Sequence, residues 1–225
     1  MRLLLISSSN VHGYGYLDHA EPDIKRFLGS IRRVAFIPYA ANDHAGYTAN
    51  VRERLGRMGF DVLPVERLDE GEAIFVGGGN TFRLLKALYD HKLIDVLRDK
   101  AKTGVPYIGS SAGSVITSPT IRTTNDMPAV EPPTLTSLGL IPFQLNCHYL
   151  DIDPTSTHKG ETREERIRDY HEDNDYPVVG LREGTMLEVE GDAVTLLGLK
   201  SARIFKKGDE PFEVPVGTRI DEAVR

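Results

Sequence analysis

Short apolar runs recur through the first half of the chain at Leu3–Ile6, Val34–Ile37, Val62–Val65, Ala73–Val76 and Val105–Ile108, with amphipathic stretches between them. Runs this short and this continuously apolar suit strands buried on both faces, as in a parallel sheet, better than helices. The intervening segments carry helical spacing, notably Ala49–Met58 and the longer Thr81–Lys102, with a break near Asp90-His91. Repetition of strand, helix and strand admits few topologies, because crossover connections between parallel strands are right-handed and place helices over the sheet. The expected fold is therefore a three-layer α/β architecture, a mostly parallel sheet with helices on both faces. Val178–Leu181, Met186–Val189, Val194–Leu197 and Arg203–Phe205 add late strands, partly as β-hairpins. Ligands of such sheets bind beyond the carboxyl ends of the strands, where this sequence sets its glycines and hydroxyls.

A chain of 225 residues fits one such domain, spanning 1–225. Its net charge of −6 argues against nucleic acid and anionic membranes as partners and favours small-molecule chemistry. Cys147 is the single cysteine, so no intramolecular disulfide and no cysteine metal cluster is expected, and a reducing, cytoplasmic setting fits. The amino-terminal apolar run stops at Ile6 and polar Ser7-Ser8-Ser9-Asn10 follows, which reads as a buried first strand rather than a signal peptide. Nothing later approaches the ~18 apolar residues of a membrane-crossing helix. Gly160–His171 reads as a solvent-exposed helix, and the Pro-, Thr- and Asn-rich passage Thr117–Pro133 as a candidate active-site loop.

At the end of the fifth apolar run stands Gly109-Ser110-Ser111-Ala112-Gly113, a G-x-S-x-G pattern after a predicted strand. Small flanking residues permit a tight turn that lifts a serine hydroxyl clear of the sheet, so Ser111 is the candidate nucleophile, and the amide of Ala112 faces the oxyanion. A simple Gly/Ser turn is the plainer reading of the same residues. Gly77-Gly78-Gly79-Asn80-Thr81 follows the fourth run and lacks the Lys and Ser/Thr of a P-loop. The amides of Gly78 or Gly79 are candidates to complete an oxyanion hole, with Asn80 capping the next helix.

A serine needs a base, and seven histidines compete. His12, His19, His44 and His91 read as surface residues and His171 as part of a solvated acidic helix end. His148, in Leu145-Asn146-Cys147-His148-Tyr149, follows an apolar stretch as a strand-end residue would, with His158 the runner-up. Asp126 follows Ser111 too closely to be the acid of an α/β-hydrolase. Glu183, just past the strand Val178–Leu181, gives the order Ser111, His148, Glu183, which unrelated triads permit; an exposed turn residue is the competing reading.

Taken together, four stretches resemble the peptidase E, or α-aspartyl dipeptidase, family. They are Phe36-Ile37-Pro38-Tyr39-Ala40; Val76-Gly77-Gly78-Gly79-Asn80-Thr81-Phe82; Ser111-Ala112-Gly113 with Pro119 to Pro128; and His158-Lys159-Gly160-Glu161-Thr162-Arg163-Glu164. The resemblance implies a class I glutamine amidotransferase-like fold and a Ser-His-Glu triad at Ser111, His148 and Glu183. It implies cleavage of dipeptides with an N-terminal aspartate and no metal or organic cofactor; the chain itself is expected to be a monomer or a homodimer. It also points to Arg163 as a contact for the aspartyl carboxylate, with Asp126 and Asn80 among the substrate-binding residues. Ser110 stands where the family commonly has an aromatic residue, and Cys147 where it has proline. The segment Asn42–Gly46 is shorter than the family pattern. A cyanophycinase-like peptidase and a non-catalytic binder of acidic peptides are the alternatives; the serine at the elbow disfavours an amidotransferase.

Overall fold

A computed structural model describes residues 1–152, 155, 157 and 159–224 of the chain. Strands β1 (Arg2–Ile6), β2 (Arg33–Ile37), β3 (Asp61–Leu63), β4 (Ala73–Val76) and β5 (Tyr107–Ser110) lie parallel in the order β3-β2-β4-β5-β1. Two strands are shifted by prolines, which lack the amide that a ladder needs. Pro64 follows the last residue of β3, and β5 starts after Pro106.

Alternate side chains of the sheet enter opposite cores. Leu4, Ile6, Val34, Phe36 and Phe75 pack with Ile24 and Phe27 of helix α1 (Glu21–Leu28) and with Val51 and Leu55 of α2 (His44–Arg57). Leu3, Leu5, Ala35, Ile37 and Ile74 pack with Leu84, Leu85 and Leu88 of α3 (Thr81–Asp90) and Leu97 of α4 (Leu93–Lys102). The period-2 alternation thus builds the three layers. The expected break between α3 and α4 falls where Lys92 takes a left-handed φ of 57°. Helix α2 begins earlier than the apolar spacing suggested, because the Asp43 carboxylate accepts the amide of Gly46 and caps it.

After the short helix α5 (Ala112–Val115), residues 117–143 form turns without a helix or strand and lead to β6 (Gln144–Cys147). Helix α6 (Arg163–Asp173) opens on a capping box between Thr162 and Glu165, which places its start after Gly160. The late strands divide between two sheets. Strands β8 (Thr185–Glu190) and β9 (Ala193–Gly198) form a hairpin whose first strand runs antiparallel to β1, completing seven strands. Strand β7 (Val178–Leu181) instead pairs with β6 and β10 (Ala202–Phe205), and β11 (Phe212–Val214) completes a separate four-stranded sheet. No helix among the described residues is long and apolar enough to cross a membrane.

Two histidines that read as surface residues are buried. His19 is 8% exposed and neither ring nitrogen finds a partner among the described residues; His171 is 7% exposed and hydrogen-bonds the Tyr176 carbonyl. Burial holds both imidazoles below the ordinary 6.5, with Asp18 and Asp23 partly opposing this at His19. The unfolded chain then binds more protons than the folded one as pH falls below about 6.5, so stability declines on acidification in that window. Urea midpoints are expected to drop between pH 7.5 and 5.5, and His19→Phe to flatten part of the drop. An unchanged slope in that variant would remove His19 from the effect.

Candidate active site

Ser111 sits between β5 and α5 with φ 50° and ψ −110°, a conformation that side-chain-bearing residues rarely adopt. The glycines at either end make this turn possible by close approach. A Cβ on Gly109 would lie 2.5 Å from the Gly113 carbonyl oxygen, and one on Gly113 would lie 2.1 Å from the Val76 carbonyl oxygen of β4. The Ser111 amide donates to the Ile6 carbonyl at 2.9 Å, the Ser114 hydroxyl to the same oxygen at 2.8 Å, and the Tyr107 hydroxyl to the Gly113 carbonyl at 2.6 Å. Three central elements, β1, β4 and β5, therefore hold the turn.

His148 follows β6 of the second sheet, also at positive φ, 55°. Its amide donates to the Ser7 hydroxyl at 3.1 Å, and that hydroxyl donates to the Leu181 carbonyl at 2.8 Å. Ser7, at the carboxyl end of β1, thus bridges the two sheets at the level of the imidazole. In the sequence Ser7 is only the first polar residue after the opening apolar run, since a single hydroxyl linking two distant segments leaves no local signal. The ring completes a chain of hydrogen bonds. Ser111 Oγ lies 2.9 Å from Nε2, and Glu183 Oε1 lies 2.9 Å from Nδ1. Glu183 occupies the β7–β8 turn, beyond Leu181.

The side chains of His148 and Glu183 are 39% and 41% exposed, so water screens their interaction. What the hydrogen bond then supplies is mainly a fixed orientation of the imidazole, and solvent can partly replace it. Glu183→Gln is expected to lower kcat by about 10³-fold, less than the ~10⁴-fold seen for a buried triad acid. Steady-state kinetics checks this, and a loss below tenfold would contradict the orienting role.

A cleft of about 360 Å³ opens over Ser111 and His148 and is lined also by Tyr16, Tyr47, Gly79 and Asp126. Asp126 lies on the long irregular segment that the sequence marked as a candidate loop. Its carboxylate accepts the Thr81 amide at 2.7 Å and the Thr81 hydroxyl at 2.5 Å, at the start of α3. Asn125 ties the same segment to the strand before the histidine through the Cys147 carbonyl at 2.7 Å. A second cavity of about 510 Å³, lined by Arg122, Arg166 and Tyr170, shares Asp126 with the cleft.

Two other expected positions, Asn80 and Arg163, do not line the cleft. The Asn80 side chain accepts the Arg83 amide and donates to the Met127 carbonyl, so both ends of its amide are committed to capping α3 and holding the loop. Arg163 begins α6 and lines neither cavity. Its acidic neighbours are otherwise engaged: Glu164 with Arg168 and Arg203, Glu165 with Thr162, and Glu161 with Arg166. Arg163 has no ion pair among the described residues, and burial, with Arg166 nearby, lowers its pKa. Of the oxyanion candidates, the Gly78 amide donates to the Tyr47 hydroxyl at 2.9 Å, whereas those of Gly79 and Ala112 have no partner among the described residues. The runner-up base, His158, lies outside the described residues. Cys147 is buried, and burial pushes its thiol well above the usual range, so it offers no rival thiolate.

Comparison with known proteins identifies the family. Peptidase E of Streptomyces coelicolor is 54% identical over 229 residues, covering 99% of this chain and 94% of the relative. A probable alpha-aspartyl dipeptidase of Drosophila melanogaster is 47% identical over 214 residues, covering 91% of this chain and 89% of the relative. A crystal structure of a putative peptidase E protein from Listeria monocytogenes superposes with a TM-score of 0.68 at 25% identity, covering 88% of this chain and 98% of that one. The family model of peptidase family S51 matches residues 3–197, the span that holds the elbow, the histidine and the glutamate, and the chain belongs to that family.

Proposed function

We propose that the chain is a serine peptidase that hydrolyses dipeptides bearing an N-terminal aspartate, with Ser111, His148 and Glu183 as its triad. The observation that carries this reading is the unbroken pair of 2.9 Å hydrogen bonds from Ser111 through His148 to Glu183, on a strained strand-to-helix turn. His148 Nε2 takes the hydroxyl proton as Ser111 Oγ attacks the peptide carbonyl, and Glu183 keeps the other ring nitrogen protonated and facing it. The amides of Gly79 and Ala112 receive the charge that develops on the carbonyl oxygen. Collapse of the tetrahedral intermediate returns the proton to the leaving amine and leaves an aspartyl ester on Ser111. Water, deprotonated by the same imidazole, releases aspartate and restores the serine.

Preference for aspartate is supported by the printed name of the Drosophila relative and by a guanidinium at Arg163, the first residue of α6, that has no ion pair among the described residues. A guanidinium can grip both oxygens of a carboxylate. Asp126 in the cleft wall is an anion that suits the free amino group of a dipeptide. A cytoplasmic location is part of the same proposal. The test is a panel of Asp-X, Glu-X, Asn-X and isoaspartyl peptides, with branched aspartyl polymer alongside. Rapid release from Asp-X alone is expected; cleavage of the polymer in preference to dipeptides, or of none of them, would contradict it. Arg163→Ala is expected to lower kcat/KM on Asp-Leu by about 10²-fold, as for a lost charged contact of about 3 kcal/mol, with little change on Asn-Leu. Equal losses on both would remove Arg163 from aspartate recognition.

A further inference from the structure

Tyr47 projects from the first turn of α2 into the wall of the cleft. Its hydroxyl accepts the Gly78 amide at 2.9 Å and faces the Tyr16 hydroxyl at 3.4 Å. The ring stands edge-on to Phe36, centroids 5.1 Å apart, and fills the space that a Cβ on Gly77 would need. Gly78 in turn lies against the nucleophile, since a Cβ there would come 3.1 Å from Ser111 Cβ.

On the other side, the glycine run is fixed by backbone. Gly79 has φ +136°, a Cβ on it would meet the Ala40 carbonyl oxygen at 2.4 Å, and the Asn80 amide donates to that same oxygen at 2.9 Å. The peptide joining Gly78 to Gly79 is therefore gripped at both ends, by a tyrosine hydroxyl before it and the Ala40 carbonyl after it. Its N–H, that of Gly79, has no partner among the described residues, in a residue that lines the cleft. An amide free to rotate would lose much of its value to a transition state, because stabilisation of this kind depends on donors already aimed where charge develops.

We propose that Tyr47 is a positioning residue for the oxyanion hole: by holding the Gly78 amide, its hydroxyl fixes the next peptide so that Gly79 N–H faces the anion formed on the attacked carbonyl. The inference rests on the triad reading above but assigns a residue outside the triad. The engaged amide of Gly78 is excluded as a donor by the same bond.

The test compares the wild-type chain with Tyr47→Phe, which retains the ring against Phe36, and with Tyr89→Phe, which removes a tyrosine hydroxyl bond to the Thr136 carbonyl away from the cleft. Tyr47→Phe is expected to lower kcat on Asp-Leu about tenfold with KM within twofold, the loss of one orienting hydrogen bond. Affinity for an aspartyl boronate, which forms a tetrahedral adduct on serine, is expected to fall in the same proportion, while inhibition by free aspartate is unchanged. Tyr89→Phe is expected to stay within about twofold of wild type, as Tyr89 lines no part of the cleft. Wild-type kcat in Tyr47→Phe, a loss residing in KM, or boronate and aspartate affinities falling together would overturn the positioning role. So would equal losses in the two variants. Absence of Asp-Leu cleavage by the wild-type chain would instead overturn the proposed function.

Discussion

Replacing Ser111 by alanine is expected to reduce kcat on Asp-Leu by about 10⁴–10⁶-fold, the range seen when the nucleophile of a serine triad is removed. The magnitude follows from the chain of hydrogen bonds, since His148 and Glu183 have nothing to activate once Oγ is gone. Thermal stability provides a second readout with the opposite sign. Ser111 holds φ 50° and ψ −110°, and such strain costs on the order of 1–3 kcal/mol in a residue with a side chain. Ser111→Gly is therefore expected to be as inactive as the alanine variant yet to melt higher than wild type, by roughly 2–4 °C for each kcal/mol relieved in a protein of this size. Dead variants with unchanged or raised melting temperatures separate loss of chemistry from loss of fold. A glycine variant that melts well below wild type would show that the turn is not strained.

Gly113→Ala is expected to damage the fold itself. One methyl group at this position would stand 2.1 Å from the Val76 carbonyl oxygen, a backbone atom of a central strand that cannot step aside as a flexible side chain would. Separating α5 from β4 also disturbs the Tyr107 hydroxyl bond to the Gly113 carbonyl. Overpacking of a close-packed interior costs about 1–3 kcal/mol, and the backbone obstacle puts this variant at the upper end. The melting temperature is expected to fall by roughly 6–12 °C. Activity should fall with it, because the elbow and Ser111 move as a unit. A variant within 2–3 °C of wild type would mean that α5 shifts freely and that close packing does not set the elbow.

The parallel half of the main sheet was legible because its strands are short, apolar and bounded by turn residues. Ser111 was legible because an elbow places glycine, serine and glycine at fixed intervals. His148 and Glu183 could be picked out as residues just past strand ends, although nothing local showed that the strand before each belonged to a second sheet. The assignment of β7 and β10 to that sheet depends on partners far along the chain, beta pairing that periodicity alone does not specify. Ser7 and Tyr47 were not legible at all: each acts through one hydroxyl on a backbone group that only folding brings near. His19 reads as polar because its neighbours in sequence are, whereas its neighbours in space include Tyr14 and bury it. Asn80 shows the reverse, a residue in a conspicuous glycine run whose side chain is spent on capping the helix and holding the loop.

Aspartyl ester formation on Ser111 is the central claim, and rapid-quench mass spectrometry addresses it most directly. The full chain is mixed with an aspartyl anilide, quenched in acid during turnover, and digested for peptide mapping. The peptide containing Ser111 is expected to carry the added mass of one aspartyl residue, in an amount that decays as substrate is exhausted and is absent from Ser111→Ala. Modification of any other side chain during turnover, or continued turnover by pure Ser111→Ala, would contradict the account.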